Sequence, residues 1–182
     1  MENNHDHRHS DGRRSMLTGM FRDRDSAENA YHELRERGYS DREINVMMSD
    51  DTRKKYYSDD DHNSELGNKA AEGAGKGSAI GGTIGAIAGV IAAIGTSVVI
   101  PGLGLIIAGP LAAGLAGAGA GGLTGGIIGA LIGAGIPEER AKKYETGIRE
   151  GHVVMGVTPR TDEDADYLER RWKEHNGVDI YR

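Results

Sequence analysis

Apolar positions near both ends of this chain follow the short periods of strands and surface helices, whereas those in the middle run on without a polar break. Met16, Leu17, Met20 and Phe21 predict a strand. Ala27, Ala30, Tyr31 and Leu34 then fall at i, i+3, i+4 and i+7, one face of an α-helix. Asp25 is expected to cap it, with Glu28 three positions on as its capping-box partner, and Gly38 to stop it. Ile44–Met48 is a second apolar strand, so residues 15–48 read as one β-α-β half.

The C-terminal region repeats the order. His152–Thr158 reads as a strand, Thr161 and Asp164 form a second capping pattern, and Ala165, Leu168 and Trp172 mark a helix face. Gly177 ends that helix, and Val178–Tyr181 is a last strand. A further helix precedes this half, with Pro137 in its first turn, Glu138 and Glu139 at its positive end, and Gly151 closing it. Its apolar stripe is Ala141, Tyr144 and Ile148. The fold class predicted is α+β: a ferredoxin-like split β-α-β sandwich with a four-stranded antiparallel sheet and two helices on one face. Residues 136–182 supply the extra helix and the second half.

What lies between the halves is an insertion. Residues 49–69 read as a polar linker carrying Arg53-Lys54-Lys55 and Asp59-Asp60-Asp61. From Gly77 to Pro137 there follow 61 residues without Asp, Glu, Lys, Arg or His. An apolar helix of about 20 residues crosses a hydrocarbon core of about 30 Å, so the run has length for two crossings. Pro101, Gly102 and Gly104 break it, which predicts helices over roughly 70–96 and 110–135, an apolar turn at 97–109, and a glycine-zipper hairpin over 70–135 as a whole. Gly77, Gly81, Gly85 and Gly89 recur every fourth position, as do Gly117, Gly121, Gly125, Gly129 and Gly133. Each row leaves a groove free of side chains, the device by which helices pack closely in lipid. Ile80, Ile84, Ile87, Ile91 and Ile94 follow a neighbouring face of the first helix. In water each Gly costs a helix about 1 kcal/mol relative to Ala, whereas in a bilayer the backbone must bond internally. Lys69, Lys76, Arg140, Lys142 and Lys143 flank the run, so the positive-inside rule places both termini in the cytoplasm of a bacterial inner membrane. The alternative is an oligomer that buries the hairpin in a protein core.

Composition narrows the function classes. Twenty-two Lys and Arg against 28 Asp and Glu leave a net charge of −6, which argues against nucleic acid as a partner. The absence of cysteine excludes disulfides and thiolate metal sites. Glycine is 29 of 182 residues, concentrated in the insertion. Residues 1–14 read as a disordered tail with no signal peptide, in which His5, His7 and His9 are weak metal candidates. Gly117, Gly119 and Gly122 match G-x-G-x-x-G, with Glu138 near the distance of a ribose-binding acid, but no strand-turn-helix unit encloses them. Gly75-Lys76-Gly77-Ser78 fails as a phosphate loop because Gly77 stands where Ser or Thr is required. Asp59–Asp61 lacks the alternation of a calcium loop, and His152 reads as structural. No catalytic constellation, metal centre or cofactor site is predicted.

The segments LTGMFRDRDSAENAYHELRERGYSDREINVMMSDDTR and GIPEERAKKYETGIREGHVVMGV, on either side of the hairpin, resemble the bacterial general stress protein family of the heat-induced type. The likeness covers residues 16–158 and is most specific at Gly135–Glu139 leading to Gly151–Val154. The plan also looks like a membrane subunit of bacterial quinol:cytochrome c oxidoreductases. The resemblance implies a stress-response role without assigning an activity to particular residues. The expectation is therefore a non-enzymatic, stress-associated membrane protein that self-associates as a homo-oligomer through its glycine rows, with the lipid bilayer as partner. A module that senses an unidentified small ligand or ion and couples it to the hairpin is the alternative.

Overall fold

The computed structural model describes residues 15–57, 87, 98–100, 104–113, 126–133 and 135–182. Its elements in chain order are β1 (Leu17–Phe21), α1 (Arg24–Glu36), β2 (Ile44–Ser49), α2 (Asp50–Tyr57), β3 (Val98–Ile100), β4 (Leu105–Ala108), α3 (Gly126–Gly133), α4 (Glu138–Arg149), β5 (Val153–Val157), α5 (Asp162–Glu174) and β6 (Val178–Tyr181). The architecture is α+β. Six strands form one sheet in the order β3-β4-β2-β5-β1-β6, and every neighbouring pair is antiparallel.

The two end regions form the strands and helices their periodicity predicts, with caps shifted in detail. The cap of α1 is Asp23, whose carboxylate accepts the Ser26 N–H at 2.8 Å; Asp25 lies inside the first turn, and Glu28 turns inward. Thr161 caps α5 as expected, accepting the Asp164 N–H at 3.0 Å. Helices α1, α4 and α5 close with one pattern, in which Tyr39, His152 and Gly177 donate to the carbonyls of Leu34, Gly147 and Trp172. In α5 the left-handed residue is Asn176 rather than Gly177.

The sheet is buried on both faces. Leu17, Phe21, Ile44, Val46, Met48, Val153, Met155 and Val157 point to one side, where Ala27, Tyr31 and Leu34 of α1 and Leu168 and Trp172 of α5 cover them. Trp172 meets Phe21 edge-on, with ring centroids 5.5 Å apart. Met20, Met47, Leu105, Ile107 and Val154 point to the other side, under Ala141, Tyr144 and Ile148 of α4 and Ile127, Ala130 and Leu131 of α3. The stripe read on α4 is thus its packing face. Double coverage also explains why β1 and β5 are buried at every position instead of alternating with solvent.

The insertion departs from its expected form. Residues 50–57, expected to begin a linker, form α2, with the Thr52 N–H donating to Ser49 Oγ at 3.0 Å and Tyr57 buried in the core. The expected apolar turn at 97–109 contains β3 and β4, which extend the sheet by pairing Leu105–Ala108 with Val46–Ser49. The expected helix over 110–135 is not one continuous rod, because Gly126 has a φ of +68°, a left-handed conformation that an α-helix does not pass through. Ile87, one of the isoleucines spaced along a face of the expected first helix, is fully buried in the domain's own core.

These observations correct the inner-membrane placement. Among the described residues no helix is long and apolar enough to cross a membrane. Helix α3, at eight residues, spans about 12 Å against the ~30 Å a bilayer demands. Ile127, Ala130 and Leu131 of α3 leave water by covering the domain's own sheet, of which β4 is a strand.

Candidate functional site

Residue 45 and residue 109 fix the insertion to the sheet. Asn45, buried on β2, accepts the Leu111 N–H at 2.8 Å through Oδ1 and donates through Nδ2 to the Gly156 carbonyl at 3.2 Å. One carboxamide thereby joins the insertion to β5. Gly109 has a φ of +98°, and a Cβ there would lie 2.2 Å from the Ile44 carbonyl oxygen, so the chain leaves β4 against bare backbone. Earlier in the insertion, the Ile87 backbone nitrogen lies 3.5 Å from a carboxylate oxygen of buried Glu28.

Helix α3 also packs against the sheet. Its sequence, GIIGALIG, has no polar side chain on any face. Ile127, Ala130 and Leu131, at i, i+3 and i+4, turn inward onto the sheet and α4. Gly129, Ile132 and Gly133 repeat that spacing on the opposite side, where Gly129 is half-buried, Gly133 exposed and Ile132 43% exposed. Ile132 is the one large apolar side chain exposed among the described residues. Two of the predicted packing glycines, Gly129 and Gly133, therefore lie on this outer stripe. Gly77, Gly81, Gly85, Gly89, Gly117, Gly121 and Gly125 lie outside the described residues, as do His5, His7 and His9. Among the described residues no group of three or more His, Cys, Asp or Glu side chains is arranged to hold a metal.

Sequence reading missed the polar node that locks α1 to α5. Glu33 is nearly buried, and its carboxylate accepts from the Tyr167 hydroxyl at 3.0 Å, from Arg171 Nε at 2.9 Å and also from Arg171 Nη2. His175 Nε2 lies 3.1 Å away and, facing an ionised carboxylate, must carry its proton there. Bonding to Arg171 draws the Glu33 carboxyl down to about 2 against the opposing effect of burial, helped by His175 and Tyr167. A second node pins the turn after α1: Tyr39 Oη donates to Asp164 and accepts the Arg160 N–H, each at 3.0 Å, while Arg37 pairs with Asp164 at 2.7 Å. On the other face, the Tyr144 hydroxyl donates to the Asp179 carbonyl at 2.9 Å and meets Thr18 Oγ1 at 2.8 Å; burial pushes its pKa upward. Each node is saturated by its own partners, which suits helices that must hold their positions.

A cleft of about 430 Å³ opens where β1 and β2 end and α4 turns into β5. Arg22, Ser49, Thr52, Lys55, Tyr56, Ile127 and Ile148 are among its lining residues.

No family model matches this chain, and no curated protein or solved structure matches it.

Proposed function

We propose that the protein is a non-enzymatic assembly module, a ferredoxin-like domain whose glycine-rich insertion presents a packing face to a second copy of the chain. The ferredoxin-like reading is supported by the strand order β2-β5-β1-β6 within the sheet, the arrangement two β-α-β halves adopt when they interleave. Strands β3 and β4 then extend that unit at one edge.

The observation that carries the assembly reading is the outer stripe of α3. A helix apolar on every face is stable when every face is covered, and here the covered face is the one carrying Ile127, Ala130 and Leu131. Gly129 and Gly133 let a second backbone approach between them, and Ile132 supplies the side chain such a contact would bury. Two copies meeting through this stripe about a two-fold axis form a closed, self-complementary pair. A role in stress physiology rests on the resemblance of the segments flanking the insertion.

Sedimentation velocity across a concentration series tests the proposal, with Ile132→Glu as the variant. Wild-type protein is expected to move from monomer to dimer, and Ile132→Glu to remain monomeric while keeping the wild-type circular dichroism melt. A wild-type chain that stays monomeric up to ~100 μM, or a variant that dimerises equally well, overturns it.

A further inference from the structure

The cleft at the end of the sheet combines charge, hydrogen-bonding capacity and apolar surface drawn from separate parts of the fold. Arg22 follows β1, Ser49 closes β2, Thr52, Lys55 and Tyr56 come from α2, Ile127 from α3, and Ile148 from α4. Most cations on this domain are held by a carboxylate, as Arg53 and Lys54 are by Asp50, and Arg149 by Glu145. Arg22 and Lys55 have no carboxylate partner among the described residues, and both line this cleft. The Lys55 ammonium lies over the Tyr56 ring, 4.7 Å from its centroid, which leaves its donors free. Two acids share the rim. Asp51 sits in the first turn of α2, where the helix end favours negative charge, and Glu150 lies 3.9 Å from the His152 ring.

The floor holds an uncommitted donor. Ser49 Oγ accepts the Thr52 N–H at 3.0 Å and lies 2.8 Å from Thr52 Oγ1. One hydroxyl proton satisfies that oxygen pair, so the other is available to a bound acceptor. Thr52 is 3% exposed and Ser49 half-buried, and a Cβ on Gly151 would stand at an ordinary contact distance, 3.6 Å, from Thr52 Oγ1. Ile127 and Ile148, both buried, form an apolar wall. The volume falls in the range of small-molecule sites.

We propose that this cleft binds a small organic anion, its carboxylate or phosphate held between Arg22, Lys55 and the Ser49–Thr52 hydroxyl pair, and its apolar body against Ile127 and Ile148. The site is separate from the outer stripe of α3 and does not depend on self-association.

The test uses full-length ¹⁵N-labelled protein titrated with phenyl phosphate, benzoate, benzyl alcohol and inorganic phosphate, followed through backbone amide resonances. At least one aromatic anion is expected to shift the amides of Ser49, Thr52, Gly104 and Gly151 saturably, and the stronger of the two identifies the headgroup. Arg22→Gln and Lys55→Gln are each expected to weaken that binding about tenfold, whereas Arg53→Gln, on the same helix but paired with Asp50, leaves it unchanged. The proposal is overturned if neither aromatic anion saturates by ~10 mM, if benzyl alcohol or inorganic phosphate binds as well, or if Arg53→Gln weakens binding as much as the cleft variants do.

Discussion

Replacing Glu33 with Gln removes the charge on which α5 converges while keeping the side chain's size. The carboxyl stands at about 2 in the folded protein against an ordinary value of 4.5. At 1.36 kcal/mol per unit, that difference makes the ionised group worth up to ~3 kcal/mol at neutral pH. Because the folded value is depressed, the contribution is complete above the unfolded value and drains away as pH falls from about 4.5 to about 2; at pH 3 about 1.4 kcal/mol remains. The Gln amide can set its oxygen where Oε1 meets Arg171 and His175 and turn its NH₂ toward the Tyr167 hydroxyl, so what the substitution removes is the charge and not the geometry. Arg171 is 35% exposed and can rehydrate, which holds the expected loss at pH 7 to ~2–3 kcal/mol. Trp172, the single tryptophan, is fully buried one residue after Arg171 and reports unfolding in urea by fluorescence. Measured at pH 7 and pH 3, the gap between wild type and Glu33→Gln should narrow by at least 1 kcal/mol. Acid effects common to both proteins cancel in that difference. A gap of equal size at both pH values, or one below ~0.5 kcal/mol at pH 7, refutes the reasoning.

Two further substitutions probe the seam between insertion and sheet. Gly109→Ala places a methyl group against the Ile44 carbonyl in a left-handed conformation and is expected to cost ~2–4 kcal/mol in urea unfolding; a loss under ~1 kcal/mol would mean that the seam yields easily. Asn45→Leu strands the Leu111 N–H, which it accepts, and the Gly156 carbonyl, to which it donates. That should cost ~2 kcal/mol and accelerate hydrogen exchange at Leu111 more than at amides of β1. Equal acceleration at both places would argue against the local tie.

The two β-α-β halves were legible because their signals are local. A helix face repeats within eight residues, and caps sit within three of their partners, as Thr161 and Asp164 do. The misplacement of the α1 cap, Asp25 for Asp23, is a local ambiguity between two acids of the same turn. Glu33 was illegible for the opposite reason. On its own helix it is one acid among several, and its partners Tyr167, Arg171 and His175 lie 134 to 142 residues away. The glycine spacing was visible, and it carried Gly129 and Gly133 to the outer stripe of α3. The β3–β4 pair also left a trace, two apolar runs on either side of Pro101-Gly102-Leu103-Gly104. Read without alternation, those runs resembled a turn inside an apolar segment, because β4 is buried at all four positions and shows no period of two.

An uncharged sequence states that its side chains leave water; it does not state whether lipid or protein receives them. Here the second face of the sheet decides. Seven of the thirteen residues in that cluster, namely Leu105, Ile107, Ala112, Ile127, Ala130, Leu131 and Ile136, come from the uncharged run. Replacing residues 70–135 with a short Gly-Ser linker separates the two cases. A lipid anchor would be dispensable to the domain, and the shortened chain would fold and melt as before. In the observed architecture the deletion removes β3, β4 and α3, and with them six of those seven side chains. At ~1.5–3 kcal/mol for each large side chain buried, the loss is on the order of 10 kcal/mol, comparable to the whole stability of an ordinary domain. The shortened chain is therefore expected to lack a cooperative melt and to bind a hydrophobic dye. A sharp transition near the wild-type temperature would show that the second face does not need the insertion.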